Sequence, residues 1–297
     1  MSSEKQILIT GATGKQGGAV LNELQGKGFR FRALTRKPDG DAAKALVAKG
    51  VEVVAGDLDD AASLERALSG VWGVFAVQNT WEAGVEGEEV QGKRIAELAR
   101  KAGVQQFVYT SVGSAHRATG IPHFDNKWRR EETVRSLGFP SHVVIRPVFF
   151  MENLLSPWFL NGDKLVTALD PSTRLQMIAV EDIGRFGARC FTDAAAFSGK
   201  AIDLAGDALT MPEAAAVLSK ALGKPLEYLR IPIADGAEEQ RGLCADARVV
   251  RPRRLRGGRP RAREAVRLPA ARPRRLGGQA EGLTGARAGA GRADPPW

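Results

Sequence analysis

Three glycines spaced three residues apart, Gly11, Gly14 and Gly17, mark the stretch of the sequence best suited to bind a phosphate. They follow the apolar run Gln6–Ile9 and precede an amphipathic segment that starts near Lys15. This order predicts a strand, a glycine turn and a helix whose N-terminus offers unpaired N–H groups to an anion. Glycine lets the chain turn sharply and lets the backbone approach a pyrophosphate closely. We therefore predict a dinucleotide-binding loop; a purely structural turn is the alternative.

Two basic residues, Arg36 and Lys37, follow the next predicted strand, Phe29–Thr35. In sites that bind the 2′-hydroxyl of NAD, an acidic residue stands at about this distance beyond the glycine loop. Arg suits a 2′-phosphate instead, because its planar guanidinium forms paired hydrogen bonds with phosphate oxygens. The sequence therefore predicts NADP(H) in preference to NAD(H), with an ordinary basic strand end as the alternative.

The ends of the third and fourth predicted strands carry further candidate cofactor ligands. Asp57 follows the strand at 51–55, where its carboxylate can accept a hydrogen bond from the adenine amino group, and Leu58 can pack on the ring. On the nicotinamide side, the strand at 71–77 is followed by Gln78, Asn79 and Thr80. These residues extend the predicted cofactor site along one edge of the sheet.

Lys127 is a candidate ligand on a later helix, which we predict to be capped near Asp125. A lysine at this place can donate to the nicotinamide ribose hydroxyls; a solvent-facing lysine is the alternative. The preceding helix, over 85–102, begins with acidic residues and ends with basic ones, as the helix dipole favours. We interpret those charges as structural.

Strands and helices alternate along the chain, which predicts an α/β fold with a doubly wound parallel sheet, the Rossmann fold. We place the NADP-binding domain at residues 1–150. Residues 151–240, with a helix at 181–190 and a strand at 200–204, are predicted to form a small lobe on the substrate or partner side that does not fold independently.

The net charge of +9 arises in the last segment, because residues 241–297 hold 15 Arg, no Lys and 4 acidic residues. This Arg-, Gly-, Ala- and Pro-rich tail buries too little apolar area to fold, so we predict disorder. We interpret the abrupt change as a reading-frame shift near Gln240–Asp246, which sequencing of the locus tests. The tail has no base-reading motif, so we expect no specific nucleic acid as a partner.

The sequence also limits the compartment and the kind of site. No apolar run reaches the roughly 18 residues of a membrane span, and Ser2–Lys5 leads straight into a strand. We therefore expect a cytoplasmic protein with no membrane partner. Cys190 and Cys244 form neither a disulfide framework nor a metal-ligand spacing, so no metal site is predicted.

Taken together, these motifs resemble the NmrA-like family, atypical relatives of the short-chain dehydrogenases. The matches run in order over about residues 5–235, roughly four-fifths of the chain. They are Gly-Ala-Thr-Gly-Lys-Gln-Gly at 11–17, Thr35-Arg36, Gly56-Asp57, Asn79 with Trp81-Glu82, His123-Phe124 with Lys127, and Arg146-Pro147 with Glu152-Asn153-Leu154-Leu155.

The resemblance implies a place at the cofactor for each matching residue. The pyrophosphate would be held by Gly11, Ala12, Thr13, Gly14, Lys15 and Gln16, with Gly17 packing the helix on the sheet. It implies Arg36 at the 2′-phosphate and Asp57 with Leu58 at adenine. The ribose and nicotinamide side would be formed by Gln78, Asn79, Thr80 and Lys127. Near the nicotinamide it implies Phe150, Met151, Glu152 and Asn153.

One departure from the dehydrogenase pattern bears on catalysis. Short-chain dehydrogenases use Tyr-x-x-x-Lys to move the substrate proton, and here His123 stands four residues before Lys127. The candidate catalytic residues are therefore Lys127, His123 and Ser111, the last where the parent family keeps a serine. The missing Tyr favours an NADP(H)-binding redox sensor that acts through a regulatory protein partner and has weak or no dehydrogenase activity. The alternative is an NAD(P)H-dependent reductase of a quinone or similar apolar electrophile.

Overall fold

A computed structural model describes residues 4–232, and the stretch up to residue 147 alternates strands with helices. Its strands are β1 (Lys5–Ile9), β2 (Phe29–Thr35), β3 (Glu52–Ala55), β4 (Gly73–Ala76), β5 (Gln106–Thr110) and β6 (Ser141–Pro147). Its helices are α1 (Lys15–Leu24), α2 (Asp41–Val47), α3 (Ala61–Leu68), α4 (Thr80–Lys101) and α5 (Pro122–Ser136). Gly84 interrupts α4 with a φ of 73°, so its regular part begins one residue later, where the sequence predicts the helix start.

Shorter elements follow. Residues 148–178 contain β7 (Phe149–Phe150), β8 (Leu160–Asn161), β9 (Lys164–Thr167) and β10 (Leu175–Ile178). Residues 179–204 contain α6 (Val180–Thr192), α7 (Ala194–Phe197) and β11 (Ala201–Leu204). The last described stretch contains β12 (Asp207–Leu209), α8 (Met211–Leu222) and β13 (Glu227–Arg230).

In the described chain, seven strands form one parallel sheet in the order β3-β2-β1-β4-β5-β6-β11. The strand order reverses between β1 and β4, so the crevice for a ligand is expected at the carboxyl ends of these two strands. The predicted doubly wound parallel sheet is confirmed.

Alternation along β1 explains how both sheet faces are covered. Leu8 belongs to an apolar cluster that also holds residues of α3 and α4, whereas its neighbours Ile7 and Ile9 face the other side. On that side α1 packs against α6 at very short range. A Cβ on Gly184 would lie 2.8 Å from Ala19, and one on Gly187 2.6 Å from Val20. The two glycines therefore set the approach of α6 to α1.

The described residues divide into two compact units. The larger contains residues up to 147 together with 179–204, and the smaller contains 148–178 together with the residues from 205. The sequence prediction assigned the helix at 181–190 and the strand at 200–204 to the small lobe. That assignment is corrected here, because β11 pairs with β6 and α6 packs on α1. Local sequence gives the type of an element but not its pairing partner.

No helix within residues 4–232 combines the length and the apolar character needed to cross a membrane. The predicted Arg-rich tail at 241–297 lies outside the described residues.

Candidate functional site

The glycine turn leads directly from β1 into α1. Gly11 has a φ of +60°, the left-handed region that favours glycine, and a Cβ there would lie 2.7 Å from Val77 Cγ1. A Cβ on Gly17 would lie 2.4 Å from the Gly11 carbonyl oxygen, closer than real Cβ contacts occur. The start of α1 therefore lies against the turn, and only glycine allows this approach.

The N-terminus of α1 is arranged to receive an anion. Gly14 is its N-cap residue and donates its N–H to the Gly11 carbonyl at 2.9 Å. Within the described part of the chain no side chain caps this helix, and its first turn holds no acidic residue. Gln16 lies in that turn, and its Oε1 accepts from the Thr110 hydroxyl at 2.7 Å. A helix N-terminus without a side-chain cap and the helix dipole both favour a phosphate here.

Thr10 joins the carboxyl ends of β1 and β4, where the strand order reverses. Its hydroxyl donates to the Val77 carbonyl at 2.8 Å and accepts from the Val77 N–H at 2.8 Å. The next residue, Gln78, is 6% exposed, and its Nε2 has no hydrogen-bond partner among residues 4–232. An unpaired buried amide is costly unless a ligand uses it. With the glycine turn, this donor fits a dinucleotide bound across the crevice.

Arg36 and Asn79 belong to one chain of polar contacts. Arg36 directly follows β2, and its Nη2 forms an ion pair with Oε2 of Glu82, in the first turn of α4. Asn79 is the N-cap of α4 and accepts from the Trp81 N–H at 3.1 Å through Oδ1. Its Nδ2 donates to Glu82 Oε1 at 3.2 Å. The structure thus joins two predicted cofactor residues through a carboxylate that the sequence prediction did not include.

Asp57 organises the turn after β3. Its Oδ1 accepts from the Asp59 N–H at 3.0 Å, and its own N–H donates to Ser63 Oγ at 3.0 Å. The side chain of Leu58 is partly buried against the apolar core. The α3 cap is the neighbouring Asp60, which accepts from the Ala62 N–H. Asp57 therefore does not cap the helix, and its place at adenine stays a prediction.

A fully buried carboxylate, Glu88, lies between α4 and α5. Its Oε1 accepts from Lys127 Nζ at 2.6 Å and lies 2.9 Å from Arg130 Nη2. Its Oε2 accepts from Asn126 Nδ2 at 3.1 Å and from the Thr80 hydroxyl. Burial raises the pKa of Glu88, but Lys127 and Arg130 outweigh it and hold the pKa below its ordinary value. Glu88 is therefore ionised at neutral pH.

Lys127 is positioned by this cluster. Its side chain is 15% exposed, which excludes the solvent-facing alternative. Burial lowers the pKa of the Lys127 ammonium, and the adjacent Glu88 carboxylate opposes that shift. Lys127 and Thr80, both predicted on the ribose side of the cofactor, contact the same carboxylate. Arg130 links the cluster to the crevice, because its Nη1 donates to Gln78 Oε1 at 3.1 Å.

His123 lies one helical turn before Lys127 on α5. Its ring centroid is 6.3 Å from that of Trp81 and 4.9 Å from that of Phe124. Burial, assisted by the charge of Lys127, lowers the pKa of His123 from 6.5 to about 4. The imidazole is therefore neutral at pH 7. A neutral imidazole is a poor replacement for the missing tyrosine as a proton donor.

Ser111 belongs to a second buried cluster. Its hydroxyl donates to Glu131 Oε1 at 2.6 Å. Glu131 also accepts from Arg146 Nε at 2.8 Å and from Arg135 Nη2 at 2.6 Å. Burial raises the pKa of Glu131, but the hydrogen bonds from Arg146 and Ser111 hold it below its ordinary value. The Ser111 proton is thus directed at a carboxylate.

The predicted nicotinamide residues of the second half lie in the smaller unit. Phe150 ends β7, and a short 3-10 helix, Met151–Leu155, contains Glu152 and Asn153. Asn153 is fully buried, and Phe150 is half-buried. Their place beside the nicotinamide stays a prediction.

The predicted cap of α5 near Asp125 is wrong. The helix begins at Pro122, with Ile121 as its N-cap residue. The Asp125 carboxylate instead accepts from the N–H groups of Thr119 and Gly120, at 3.0 and 3.1 Å. Proline at the first helical position, where no N–H is needed, is the signal that sets this start.

Sequence reasoning assigned no site role to five charged residues of the two clusters, namely Glu88, Arg130, Glu131, Arg135 and Arg146, although Arg146 is part of the family motif. Glu88 in particular was interpreted as part of an acidic helix start, and the structure corrects this, since it is the buried counter-ion of Lys127. Gly92, four residues after Glu88 on the same helix face, is a sequence feature that could have indicated this cluster. A Cβ there would lie 2.3 Å from Arg130 Cδ, so the glycine makes room for a buried guanidinium.

Comparisons with known proteins show what the chain is similar to. A sequence model of the NmrA-like family matches residues 3–239. A (4-alkanoyl-5-oxo-2,5-dihydrofuran-3-yl)methyl phosphate reductase of Streptomyces griseus subsp. griseus is 33% identical over 226 residues, which are 75% of this chain and 76% of that protein. Several fungal proteins named NmrA-like family domain-containing oxidoreductases match over about half of their own length.

Two similar solved structures hold dinucleotides. The NADPH-dependent quinone oxidoreductase QOR2 of Escherichia coli, complexed with NADPH, has a TM-score of 0.69 at 28% identity, covering 82% of this chain and 88% of that one. NmrA, a negative transcriptional regulator, in complex with NADP has a TM-score of 0.70 at 23% identity, covering 84% and 82%. NmrA has also been solved with NAD. At this identity the likeness to NmrA shows the fold alone.

Proposed function

The chain belongs to the NmrA-like family, and we propose that its larger unit binds NADP(H) in preference to NAD(H). One observation carries the proposal: an uncapped helix N-terminus follows a turn that tolerates only glycine, at the point where the strand order reverses. Arg36 stands at the end of the adjacent strand, β2, and supplies a guanidinium for a 2′-phosphate. Similar proteins at 28% and 33% identity are named as an NADPH-dependent quinone oxidoreductase and a reductase.

Each residue has a stated task in this proposal. The backbone N–H groups of residues 11–16 hold the pyrophosphate, and Arg36 holds the 2′-phosphate. Asp57 and Leu58 receive the adenine, and Gln78 offers its unpaired amide to the nicotinamide half. Lys127 donates to the ribose hydroxyls while Glu88 fixes its position. Asn79 and Thr80 are assigned to the ribose side. The nicotinamide, when bound, supplies or accepts a hydride.

We infer that this protein works as a redox-sensing or regulatory protein with weak or no dehydrogenase activity. The support is the state of the candidate proton donors. Burial lowers the pKa of His123 to about 4, so its imidazole is neutral at pH 7. The Ser111 hydroxyl donates a hydrogen bond to Glu131, and Lys127 is paired with Glu88. A regulatory protein partner would then detect the cofactor state.

A second candidate is an NAD(P)H-dependent reductase of a quinone or similar apolar electrophile. The relatives favour it, because the 28% identical structure is named a quinone oxidoreductase and the 33% identical protein a reductase. Hydride transfer to such an acceptor can draw its proton from water, so the state of His123 does not prevent it.

Calorimetric titration of the full chain with NADP⁺ and NAD⁺ tests the cofactor proposal. Arg36→Ala should weaken NADP⁺ binding by about 1.5–3 kcal/mol, the range for hydrogen bonds to charged groups, and leave NAD⁺ nearly unchanged. Arg30→Ala is the matched control, because Arg30 is an exposed residue at the opposite end of β2. Equal NADP⁺ affinity in Arg36→Ala and the unaltered protein would refute the 2′-phosphate assignment.

Turnover separates the sensor from the reductase. NADPH oxidation is followed by absorbance with a substituted 1,4-benzoquinone as acceptor. The sensor proposal predicts a rate no higher than that of free NADPH with the same quinone. A rate that rises with protein concentration and saturates in quinone would establish the reductase instead.

A further inference from the structure

The ion pair between Arg36 and Glu82 lies where the proposed site must recognise the adenosine ribose. Arg36 extends from the end of β2 and Glu82 from the first turn of α4, 46 residues later. Their side chains are 62% and 54% exposed, so a ligand can reach both. The guanidinium that would bind a 2′-phosphate is therefore already engaged by a carboxylate of the same protein.

Glu82 is held in place and is not a freely moving surface acid. Its Oε1 accepts from Asn79 Nδ2 at 3.2 Å, while Oε2 pairs with Arg36. The same Asn79 caps α4 through its Oδ1 and the Trp81 N–H. The helix N-terminus also favours a negative charge in this first turn. Helix capping and placement of the carboxylate thus depend on one asparagine.

Two ligands make opposite demands on this pair. A 2′-phosphate is an anion, so it competes with Glu82 for Arg36 and is repelled by the carboxylate. A 2′-hydroxyl is a donor, so it can bond to a carboxylate that stays paired with Arg36, which is the usual way NAD is recognised. The pair therefore offers an acceptor for one dinucleotide and a cation for the other.

We propose that Glu82 is a specificity-determining residue, which weakens NADP(H) binding and supports NAD(H) binding at the Arg36 site. Because this inference rests on the proposed cofactor site, its test must separate the two. Arg36 exchanges Glu82 for the phosphate when NADP(H) binds, and the ion pair persists when NAD(H) binds. The two cofactors thereby leave the first turn of α4 in different states, with Glu82 either released or paired.

The charge-only variant Glu82→Gln tests the proposal, because glutamine keeps an oxygen that can accept from Asn79. Calorimetric titration of the full chain is expected to show NADP⁺ affinity rising and NAD⁺ affinity falling, each by about two- to fivefold, the range for one exposed charge pair. Opposite changes in one variant distinguish specificity from a structural role, since a damaged helix start would weaken both ligands. Glu86→Gln, an exposed acid on the same helix, should change neither affinity.

The Arg36→Ala variant distinguishes a failure of the Glu82 role from a failure of the proposed NADP(H) site. If Arg36→Ala weakens NADP⁺ and Glu82→Gln shifts the two affinities in opposite directions, both stand. If Arg36→Ala weakens NADP⁺ while Glu82→Gln alters neither affinity, or alters both in the same direction, the role of Glu82 is refuted and the cofactor site stands. If Arg36→Ala leaves NADP⁺ binding unchanged, the 2′-phosphate assignment fails and the role of Glu82 fails with it. In the Arg36→Ala background, Glu82→Gln should no longer strengthen NADP⁺ binding through a released guanidinium.

Discussion

At the scale of single residues, the least expected feature is a carboxylate at 0% exposure that faces two cations. Lys127 and Arg130 both contact Glu88, and Arg130 itself is 1% exposed. Taking such charges out of water costs several kcal/mol each, so the cluster is tolerated only because its members compensate one another. The cluster orients two side chains at the crevice, because Lys127 bonds to Glu88 and Gln78 accepts from Arg130.

Removing the charge of Glu88 should be strongly destabilising. In Glu88→Gln two buried cations lose their counter-ion, which should lower the free energy of unfolding by about 3–5 kcal/mol. Urea unfolding of both proteins at pH 7 measures the difference. Glu97→Gln is the control, because Glu97 is an exposed residue of the same helix, and its loss should be under about 1 kcal/mol. A Glu88→Gln cost as small as that of the control would contradict the burial argument.

His123 should make stability depend on pH. Its pKa is lowered from 6.5 to about 4 on folding, so the unfolded chain takes up the proton first as the pH falls. The stabilisation is therefore complete above about pH 6.5 and is lost progressively between about pH 6.5 and 4. In His123→Gln this contribution is absent, so the free energy of unfolding should fall less between pH 7 and pH 5. Parallel pH profiles for the two proteins would show that the imidazole does not contribute.

At the scale of elements, the junction of β1 and α1 is the most constrained. In Gly17→Ala the new methyl group would lie 2.4 Å from the Gly11 carbonyl oxygen and 2.8 Å from that of Thr10. These are backbone atoms, so the loop itself must move. We expect at least a tenfold loss of NADPH affinity and a stability loss of about 1–3 kcal/mol.

A neighbouring glycine supplies the control for that variant. A Cβ on Gly18, in the same helix, would lie 3.2 Å from the Ala12 carbonyl oxygen, so only a small adjustment is needed. Gly18→Ala should keep most of the NADPH affinity and unfold at nearly the unaltered urea midpoint. Full NADPH affinity in Gly17→Ala would show that the loop does not need this close approach.

The elements that sequence predicts well carry strong local signals. The sequence predicts β2 with the bounds that the structure has, and in the structure a capping box formed by Thr210 and Glu213 starts α8. Capping residues and glycine stops act within a few residues, so they can be read locally. The place of β11 beside β6 depends on contacts between residues nearly 60 positions apart, and no local pattern records it.

The same distinction applies to the candidate site. Spacing alone predicts Gly11, Gly14 and Arg36 as cofactor residues, because they stand at or just beyond the ends of strands. Glu88 was missed as a site residue because an acidic residue near a helix start has an adequate local explanation, and Glu82 entered the sequence analysis only as part of the family motif, with no role assigned. Only packing shows that one of them is buried against Lys127 and the other reaches Arg36.

At the scale of the whole molecule, cofactor binding should appear as added stability. A ligand that binds the folded state alone adds about 2.7 kcal/mol at a concentration of about 100 times its Kd. Thermal unfolding of the full chain should therefore shift upward with NADP⁺. The shift should be smaller in Arg36→Ala at the same NADP⁺ concentration. Identical shifts in both proteins would mean that Arg36 takes no part in the stabilising complex.

Titration of the full chain with NADPH measures the proposed cofactor binding itself. We expect saturable binding of one NADPH per chain, with an affinity at least tenfold lower in Gly17→Ala and also lowered in Arg36→Ala. Circular dichroism on the same samples shows whether each protein is folded. A folded, unaltered chain that binds neither NADPH, NADP⁺ nor NADH would contradict the account and leave the parallel sheet as a scaffold for protein contacts alone.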